Sequence, residues 1–279
     1  MLLVCDLDRT LIPNGKESED DTLKNFYNKI KDIKNTTLVY ASGRNLNLLK
    51  KGKAKYKLEL PEYFLGSVGT EVYLLKKNFF GLKKLIPDPD WDNYVKNENP
   101  NWNRESLVET VSVMTNNNFY LQEESVQNKF KVSYYLNKET SKNEFEYNEF
   151  KDRILKEIQE KLDDLNLKAE LIYSFDQKKS IGLVDILAKK ASKLSALEFL
   201  IKKLNYNRED VIYAGDSGND LLPLTAGINA ILVNNARPEI KQKALEIVKE
   251  KGSEDRLFIS TKNYSAGVIE GVNYFLKKQ

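Results

Sequence analysis

The sequence predicts an α/β protein, a doubly wound parallel sheet interrupted by an inserted α+β domain. Three observations predict it. Short apolar runs alternate with amphipathic helical patterns at both ends of the chain. Two of those runs, far apart in sequence, each deliver the chain into an acidic loop, as strands of an open parallel sheet do at a ligand site. The middle of the chain instead groups alternating, half-buried strand patterns around a long helix, which suits a small antiparallel sheet with helices on one side.

The elements follow in order. Leu2 to Cys5 is a four-residue apolar strand. Asp21 to Ile33 carries helical spacing through Leu23, Phe26, Ile30 and Ile33, with acids at its start. Thr37 to Ala41 is a second strand, ending in Ser42-Gly43-Arg44 before a short helix near Leu46 to Lys50. Tyr63 to Leu65 and Glu71 to Leu75 read as strands separated by Gly66-Ser67-Val68-Gly69-Thr70. The turn-rich Ile86-Pro87-Asp88-Pro89-Asp90-Trp91 marks a boundary. The first domain segment is therefore 1–86, the insert 87–187, and the second domain segment 188–279. Within the insert, a helix over Ser106 to Met114 precedes a strand at Phe119 to Leu121. Lys129 to Leu136 then alternates as an antiparallel strand, a long helix runs from Phe150 to Leu165, and strands at Ala169 to Phe175 and Gly182 to Ile186 complete it. After it, a helix from Ser192 to Leu204, a strand Asp210 to Ala214 and a short helix Leu221 to Ala226 return to the first pattern. A strand Ala230 to Val233, a helix Glu239 to Lys249, a strand near Phe258 and a helix from Ala266 close the chain.

Composition removes several function classes. The chain has 279 residues, no histidine and one cysteine. Without histidine there is no Ser-His-Asp or Cys-His machinery, no histidine-bound zinc and no phosphohistidine. Cys5 cannot begin a Cys-x5-Arg phosphatase loop, because Leu11 stands where the arginine would be. No Gly-x-x-x-x-Gly-Lys-Ser/Thr or Gly-x-Gly-x-x-Gly loop is present. The net charge of +3 gives no argument for nucleic acid, and no apolar run reaches membrane-spanning length. Asp6 interrupts the first apolar segment too early for a secretory signal, so the expected location is the cytoplasm. Carboxylates, lysines, hydroxyls and a metal remain as catalytic groups.

Asp6 and Asp8 stand one residue apart at a strand end, where the period of two aims both the same way. One carboxylate can attack phosphorus and form an acyl phosphate, while the other protonates the leaving alkoxide and later activates water. Repulsion between an anionic nucleophile and an anionic phosphate calls for Mg²⁺, an ion that takes oxygen ligands and keeps several waters. The second acidic loop, Gly215-Asp216-Ser217-Gly218-Asn219-Asp220, supplies Asp216 as the distant ligand and Asp220 as its support. Ser42 and Gly43, between a strand and a helix, can hold a phosphate oxygen. One of the lysines at 189, 190 and 193 should supply the fixed cation that a transferring phosphoryl group needs; residue chemistry does not choose among them.

Asp-Leu-Asp-x-Thr, Ser-Gly-Arg, a downstream lysine and Gly-Asp-Ser-Gly-Asn-Asp, in that order, resemble the four motifs of haloacid-dehalogenase (HAD) superfamily phosphatases. The insert between the second and third motifs is similar to the α+β (C2-type) cap. Ser67-Val68-Gly69-Thr70-Glu71, Lys131-Val132-Ser133-Tyr134, Val184-Asp185-Ile186-Leu187, Asn235-Ala236-Arg237-Pro238-Glu239 and Ala266-Gly267-Val268-Ile269-Glu270-Gly271 resemble the sucrose-6-phosphate phosphatase group. That resemblance implies a Rossmann-like core, with Asp6 as nucleophile and Asp8 as acid/base. Mg²⁺ would be held by Asp6, Asp8 through its carbonyl, and Asp216, with Asp220 beside them. Thr10, Ser42, Gly43, Lys193 and Asn219 would surround the phosphate. Three letters depart from the pattern: Arg9 replaces glycine or asparagine, Ala188 replaces proline, and Leu194 follows the lysine where glycine is common.

The substrate implied is a sugar phosphate, foremost a disaccharide phosphate such as sucrose-6-phosphate. Mannosylfructose-phosphate, glucosylglycerol-phosphate and hexose phosphates are alternatives, and a sugar-phosphate-binding or partner-docking module is the non-enzyme reading. A sugar-phosphate synthase is the protein partner such a phosphatase could meet. Specificity is expected in the cap, where Gln122, Glu123, Lys131 and Tyr134 offer polar groups and an aromatic face, and at Arg9; Phe130, Val132 and Tyr134 also alternate as core residues would, which is the competing reading of that stretch.

Overall fold

A computed structural model describes residues 1–14, 22–138, 143–176 and 179–278. Two compact units emerge: residues 1–88 with 193–279, and residues 89–192. Both boundaries fall a few residues beyond the expected ones: the strand before the insert runs on to Pro87, and the turn after the insert's last strand stays with the insert.

The first unit is built on an eight-stranded sheet. Its strands, in chain order, are β1 (Leu2–Cys5), β2 (Thr37–Ala41), β3 (Tyr63–Gly66), β4 (Glu71–Lys77), β5 (Lys83–Pro87), and, after the insert, β10 (Val211–Gly215), β11 (Asn229–Leu232) and β12 (Leu257–Ile259). The spatial order is β12-β11-β10-β1-β2-β3-β4-β5. The six strands from β12 to β3 are parallel, while β4 and β5 run antiparallel at one edge. Four central strands are almost wholly buried, as parallel strands covered on both faces must be. Helices α1 (Leu23–Asp32) and α9 (Tyr264–Leu276) share an apolar cluster with alternate strand residues: Phe26, Val268 and Phe275 belong with Leu3, Cys5, Tyr40, Ile212 and Ala214. The other helices of this unit are α2 (Leu46–Tyr56), α6 (Lys193–Leu204), α7 (Leu221–Leu224) and α8 (Pro238–Glu250). The acid expected to open the first helix, Asp21, lies outside the described residues.

The chain leaves β1 toward β2 on one side and returns through β10 on the other, so β1 lies at the topological switch point. Cys5 is level with both Ala214 and Tyr40. The residues that follow these strands, Asp6, Asp216 and Ser42, therefore emerge at one end of the sheet.

The second unit has a four-stranded antiparallel sheet, order β6-β7-β9-β8, from β6 (Phe119–Leu121), β7 (Lys131–Asn137), β8 (Ala169–Asp176) and β9 (Ile181–Ala188). Its helices are α3 (Pro89–Glu98), α4 (Arg104–Ser112) and α5 (Glu144–Asp164). Leu107, Val111, Ile154, Ile158 and Leu162 pack with Val132, Tyr134, Leu136, Val184 and Ile186 from one sheet face. The alternate residues Lys131, Ser133 and Tyr135 occupy the opposite face.

Two elements were not foreseen. Strand β5 is a lysine-bearing edge strand that closes on Pro87, a composition that reads as loop. Helix α3 starts on Pro89 with Asp90 and Asp92 in its first turn, so the same Pro-Asp-Pro-Asp run that marks a boundary also begins a helix.

Candidate active site

Strand β1 ends with the Asp6 amide donating to the Ala214 carbonyl at 2.9 Å, which continues the ladder one residue past the strand. The chain then turns tightly: the amides of Thr10, Leu11 and Ile12 all donate to the Leu7 carbonyl, at 3.2, 3.0 and 3.0 Å. Arg9 sits in the left-handed region, φ 67°. Strand β10 ends at Gly215, where an added Cβ would lie 2.6 Å from Asp220 Cβ. Only glycine lets the acidic loop fold back on its own strand there.

Lys193, the first residue of α6, joins the two loops. It is 2% exposed, and its Nζ donates to Asp6 Oδ1 at 2.8 Å, Asp220 Oδ1 at 2.7 Å and Asn219 Oδ1 at 3.0 Å. Asp220 is saturated by donors. Tyr213 Oη gives a second bond to Oδ1 at 2.6 Å, while the Ser217 hydroxyl and the amides of Ser217 and Asp216 reach Oδ2 at 2.8, 3.1 and 3.3 Å. Asp216 accepts from Thr10 Oγ1 on Oδ1 and from Arg9 Nε on Oδ2, both at 3.2 Å. Asp8 has a partner of its own. Its carboxylate takes a two-pronged bond from Arg44, Nε to Oδ2 at 2.7 Å and Nη2 to Oδ1 at 2.5 Å. Ser42 is fully buried at the end of β2, its amide on the Leu65 carbonyl and its hydroxyl accepting from the Arg44 amide at 3.2 Å. Beside it Gly43 has room: an added Cβ would make only an ordinary contact with Val68 at 3.9 Å.

The electrostatics follow from burial. Ligand atoms of Asp6, Asp216 and Asp220 lie within 4.8 Å of one another, all three residues buried. Burial pushes the Asp6 carboxyl well above its ordinary value; Lys193 opposes the shift, and Asp220, Asp216 and Asp8 add to it. Asp216 is raised to about 7 by burial and by Asp220, against the pull of Arg9 and Lys193. Burial would raise Asp220 too, but the Lys193 charge and the bonds from Lys193, Tyr213 and Ser217 outweigh it and hold Asp220 low. For Lys193, burial acts against the charge, and the anions Asp220 and Asp6 overcome it and raise its pKa. The pocket thus gathers three buried carboxylates around two cations, Lys193 and Arg9, a donor set of hard oxygens suited to a divalent cation.

Comparison with known proteins gives the family. The family model described as sucrose-6F-phosphate phosphohydrolase matches residues 1–276. The chain belongs to that family. It is therefore a phosphatase of the haloacid-dehalogenase type. A HAD-like hydrolase of Nitrosococcus oceani is 33% identical over 282 residues, covering 99% of this chain and 71% of that protein. Sucrose-phosphatase 2 of Nicotiana tabacum is 26% identical over 98% of this chain, which spans 59% of the tobacco protein. Mannosylfructose-phosphate phosphatase of Agrobacterium fabrum is 25% identical over 98% of this chain and 96% of that protein. In fold, the chain is similar to the sucrose-phosphatase from Synechocystis solved with sucrose and phosphate, with TM-score 0.75, 21% identity, and coverage of 99% of this chain and 97% of that one.

Within this phosphatase-family chain, several residues take positions that the motifs did not specify. Thr10 and Asn219, expected around the phosphate, are engaged on Asp216 and Lys193. Tyr134, offered as an aromatic face for sugar, is buried in the apolar cluster of the insert and stacks on Phe119 with ring centroids 4.7 Å apart. On the opposite sheet face, Lys131 is 5% exposed, its Nζ 3.8 Å from Asp185 Oδ1, and Ser133 Oγ donates to that same oxygen at 2.5 Å. Gln122 donates from its amide to the Tyr134 carbonyl at 2.9 Å. Glu123 accepts from Tyr135 Oη at 2.9 Å, and Lys179 donates to that same hydroxyl at 2.9 Å. Three partners of the candidate site residues were not singled out from sequence: Arg44 on Asp8, Tyr213 on Asp220 and Asn235 on Arg9. Arg44 was signalled by its place in Ser-Gly-Arg. Tyr213, inside an apolar strand, carried no signal beyond its hydroxyl.

Proposed function

We propose that this chain hydrolyses the phosphate monoester of a sugar in a Mg²⁺-dependent reaction through an aspartyl-phosphate on Asp6. The observation that carries the reading is the convergence of Asp6, Asp216, Asp220 and Lys193 at the end of β1, with Asp8 two residues from the nucleophile. Asp6, Asp216 and the Asp8 carbonyl would hold the ion, with Asp220, its oxygens already occupied by donors, behind them. When bound, Mg²⁺ offsets the repulsion between the Asp6 carboxylate and the incoming phosphate.

In the first step an Asp6 carboxylate oxygen attacks phosphorus as the bond from phosphorus to the sugar oxygen breaks, and Asp8 gives that oxygen its proton. In the second, Asp8 takes a proton from water as the water oxygen attacks phosphorus. The bond to Asp6 breaks and inorganic phosphate leaves. Ser42, Gly43 and Lys193 bind the phosphoryl oxygens, Lys193 being held in place by Asp220 and Asn219. Arg44 orients Asp8.

A disaccharide phosphate such as sucrose-6-phosphate is the substrate best supported, by the family match and by the tobacco relative. Mannosylfructose-phosphate is the second reading, on the Agrobacterium relative. The insert would act as the cap that selects the sugar, with Lys131, Gln122 and Glu123 among its polar groups. The purified protein is offered a panel of disaccharide and hexose phosphates with Mg²⁺, with EDTA and Asp6→Asn as controls. The expected result is phosphate release from a disaccharide phosphate, lost on chelation and reduced at least about a thousandfold by Asp6→Asn. No release from any sugar phosphate would overturn the enzyme reading, and preference for a hexose phosphate would overturn the disaccharide one.

A further inference from the structure

Three buried carboxylates face the site, and Lys193 pairs with two of them. The third, Asp216, is paired instead with Arg9. Arg9 is held from both ends. Its Nη2 donates to the Asn235 carbonyl at 2.9 Å, while the Asn235 side-chain amide donates back to the Arg9 carbonyl at 2.6 Å. Asn235 is itself fixed, its Oδ1 accepting from the Tyr264 amide at the start of α9, at 3.0 Å. The guanidinium is thus set on Asp216 by a chain of bonds running to another helix. A non-glycine residue accepts a left-handed φ of 67° to put it there.

We propose that Arg9 is a built-in counter-cation for Asp216 that competes with the divalent ion, so this chain binds its metal more weakly than its carboxylates alone would allow. The inference rests on the metal reading given above. Arg9 Nε occupies Asp216 Oδ2, an oxygen that a metal ligand must free or share. A guanidinium and a divalent ion around one buried carboxylate repel each other, and part of the binding free energy is spent in loosening the ion pair. The Asn235 bond provides a tether that keeps the released guanidinium at the rim of the site.

Direct Mn²⁺ binding tests this, read from the free-ion electron paramagnetic resonance signal and by calorimetry, without any turnover. Arg9→Gln removes the charge at similar length, Arg9→Lys keeps the charge without the fork, and Arg9→Gly suits the left-handed backbone and protects the fold. The expected result is about fivefold to tenfold tighter Mn²⁺ binding by the Gln and Gly variants, with Lys near the wild-type affinity. Affinity unchanged or weakened in both neutral variants, while wild type binds and Asp216→Asn does not, would overturn the role of Arg9 and leave the metal reading standing. Binding by the neutral variants alone would support the competition most strongly. No binding by any form would overturn both.

Discussion

Each unit of this protein buries a lysine next to an aspartate, and the two lysines are treated very differently. Lys193 has three acceptors within 3.0 Å, and the aspartate behind it is saturated by a tyrosine, a serine and two backbone amides. Lys131 is nearly as buried, yet its Nζ stands 3.8 Å from Asp185, which is held closely by Ser133 instead. A transferring phosphoryl group has one geometry, so a cation that meets it is worth locking in place. A group that adapts to a polyol gains from slack. On the proposed function, the locked lysine would meet the phosphate and the looser one would belong to sugar selection.

The largest expected effect comes from replacing the two lysines in parallel. Lys193→Met leaves Asp6 and Asp220 facing each other without their cation, a loss of about 3–5 kcal/mol in urea unfolding. It should also lower kcat by at least about a hundredfold. Lys131→Met removes a more distant partner and leaves Asp185 its Ser133 bond, so it should cost less, about 1–3 kcal/mol, and raise KM for the sugar phosphate about tenfold with kcat little changed. Equal effects on stability and on kcat at both positions would dissolve the contrast.

A smaller effect separates the two hydroxyls. Tyr213→Phe removes one charge-assisted bond from Asp220 and should cost about 1.5–3 kcal/mol, measurable by calorimetric melting. Ser133→Ala should cost less, about 1 kcal/mol, because Lys131 can close on the Asp185 oxygen that the hydroxyl vacates. A larger loss from Ser133→Ala would show the insert to be the more rigid region.

The smallest effect is a pH slope. Asp6 and Asp216 have folded-state pKa values above their ordinary ones, Asp216 moving from 3.8 to about 7. Across that window the folded protein binds more protons than the unfolded chain, so these two groups make stability fall as pH rises. Asp220 acts oppositely: held low, its contribution is present above the ordinary carboxylate range and is lost as pH falls. The chelated protein should therefore show a melting temperature that declines toward pH 7, with a flatter profile in Asp216→Asn and in wild type with Mg²⁺. The same slope with and without these changes would place the pH dependence elsewhere.

Much of the candidate site was legible because its residues lie in short stretches. Asp6, Asp8, Ser42, Asp216 and Asp220 each follow an apolar strand whose composition announces it, and strand ends at a switch point meet. The partners of these residues were less legible. Asp8 and Arg44 are 36 residues apart, and Arg9 and Asn235 are 226 apart. Pairing over such distances depends on register and turn geometry, which periodicity does not encode. The insert was legible as alternating strands around a long helix, but alternation alone does not tell a sugar-facing tyrosine from a core tyrosine. Tyr134 fell to the apolar face because it alternates in phase with Val132 and Leu136.

By itself, the sequence determined the fold class and the chemical inventory. Apolar period and acidic strand ends specify a covered parallel sheet with a carboxylate site at its switch point, and the absence of histidine leaves carboxylate chemistry. Tertiary structure decided which charge faces which. It gave Lys193 to Asp6 and Asp220, Arg44 to Asp8, and the unusual Arg9 to Asp216, because burial makes an unpaired carboxylate costly and each chose the cation that the folded backbone brought within reach.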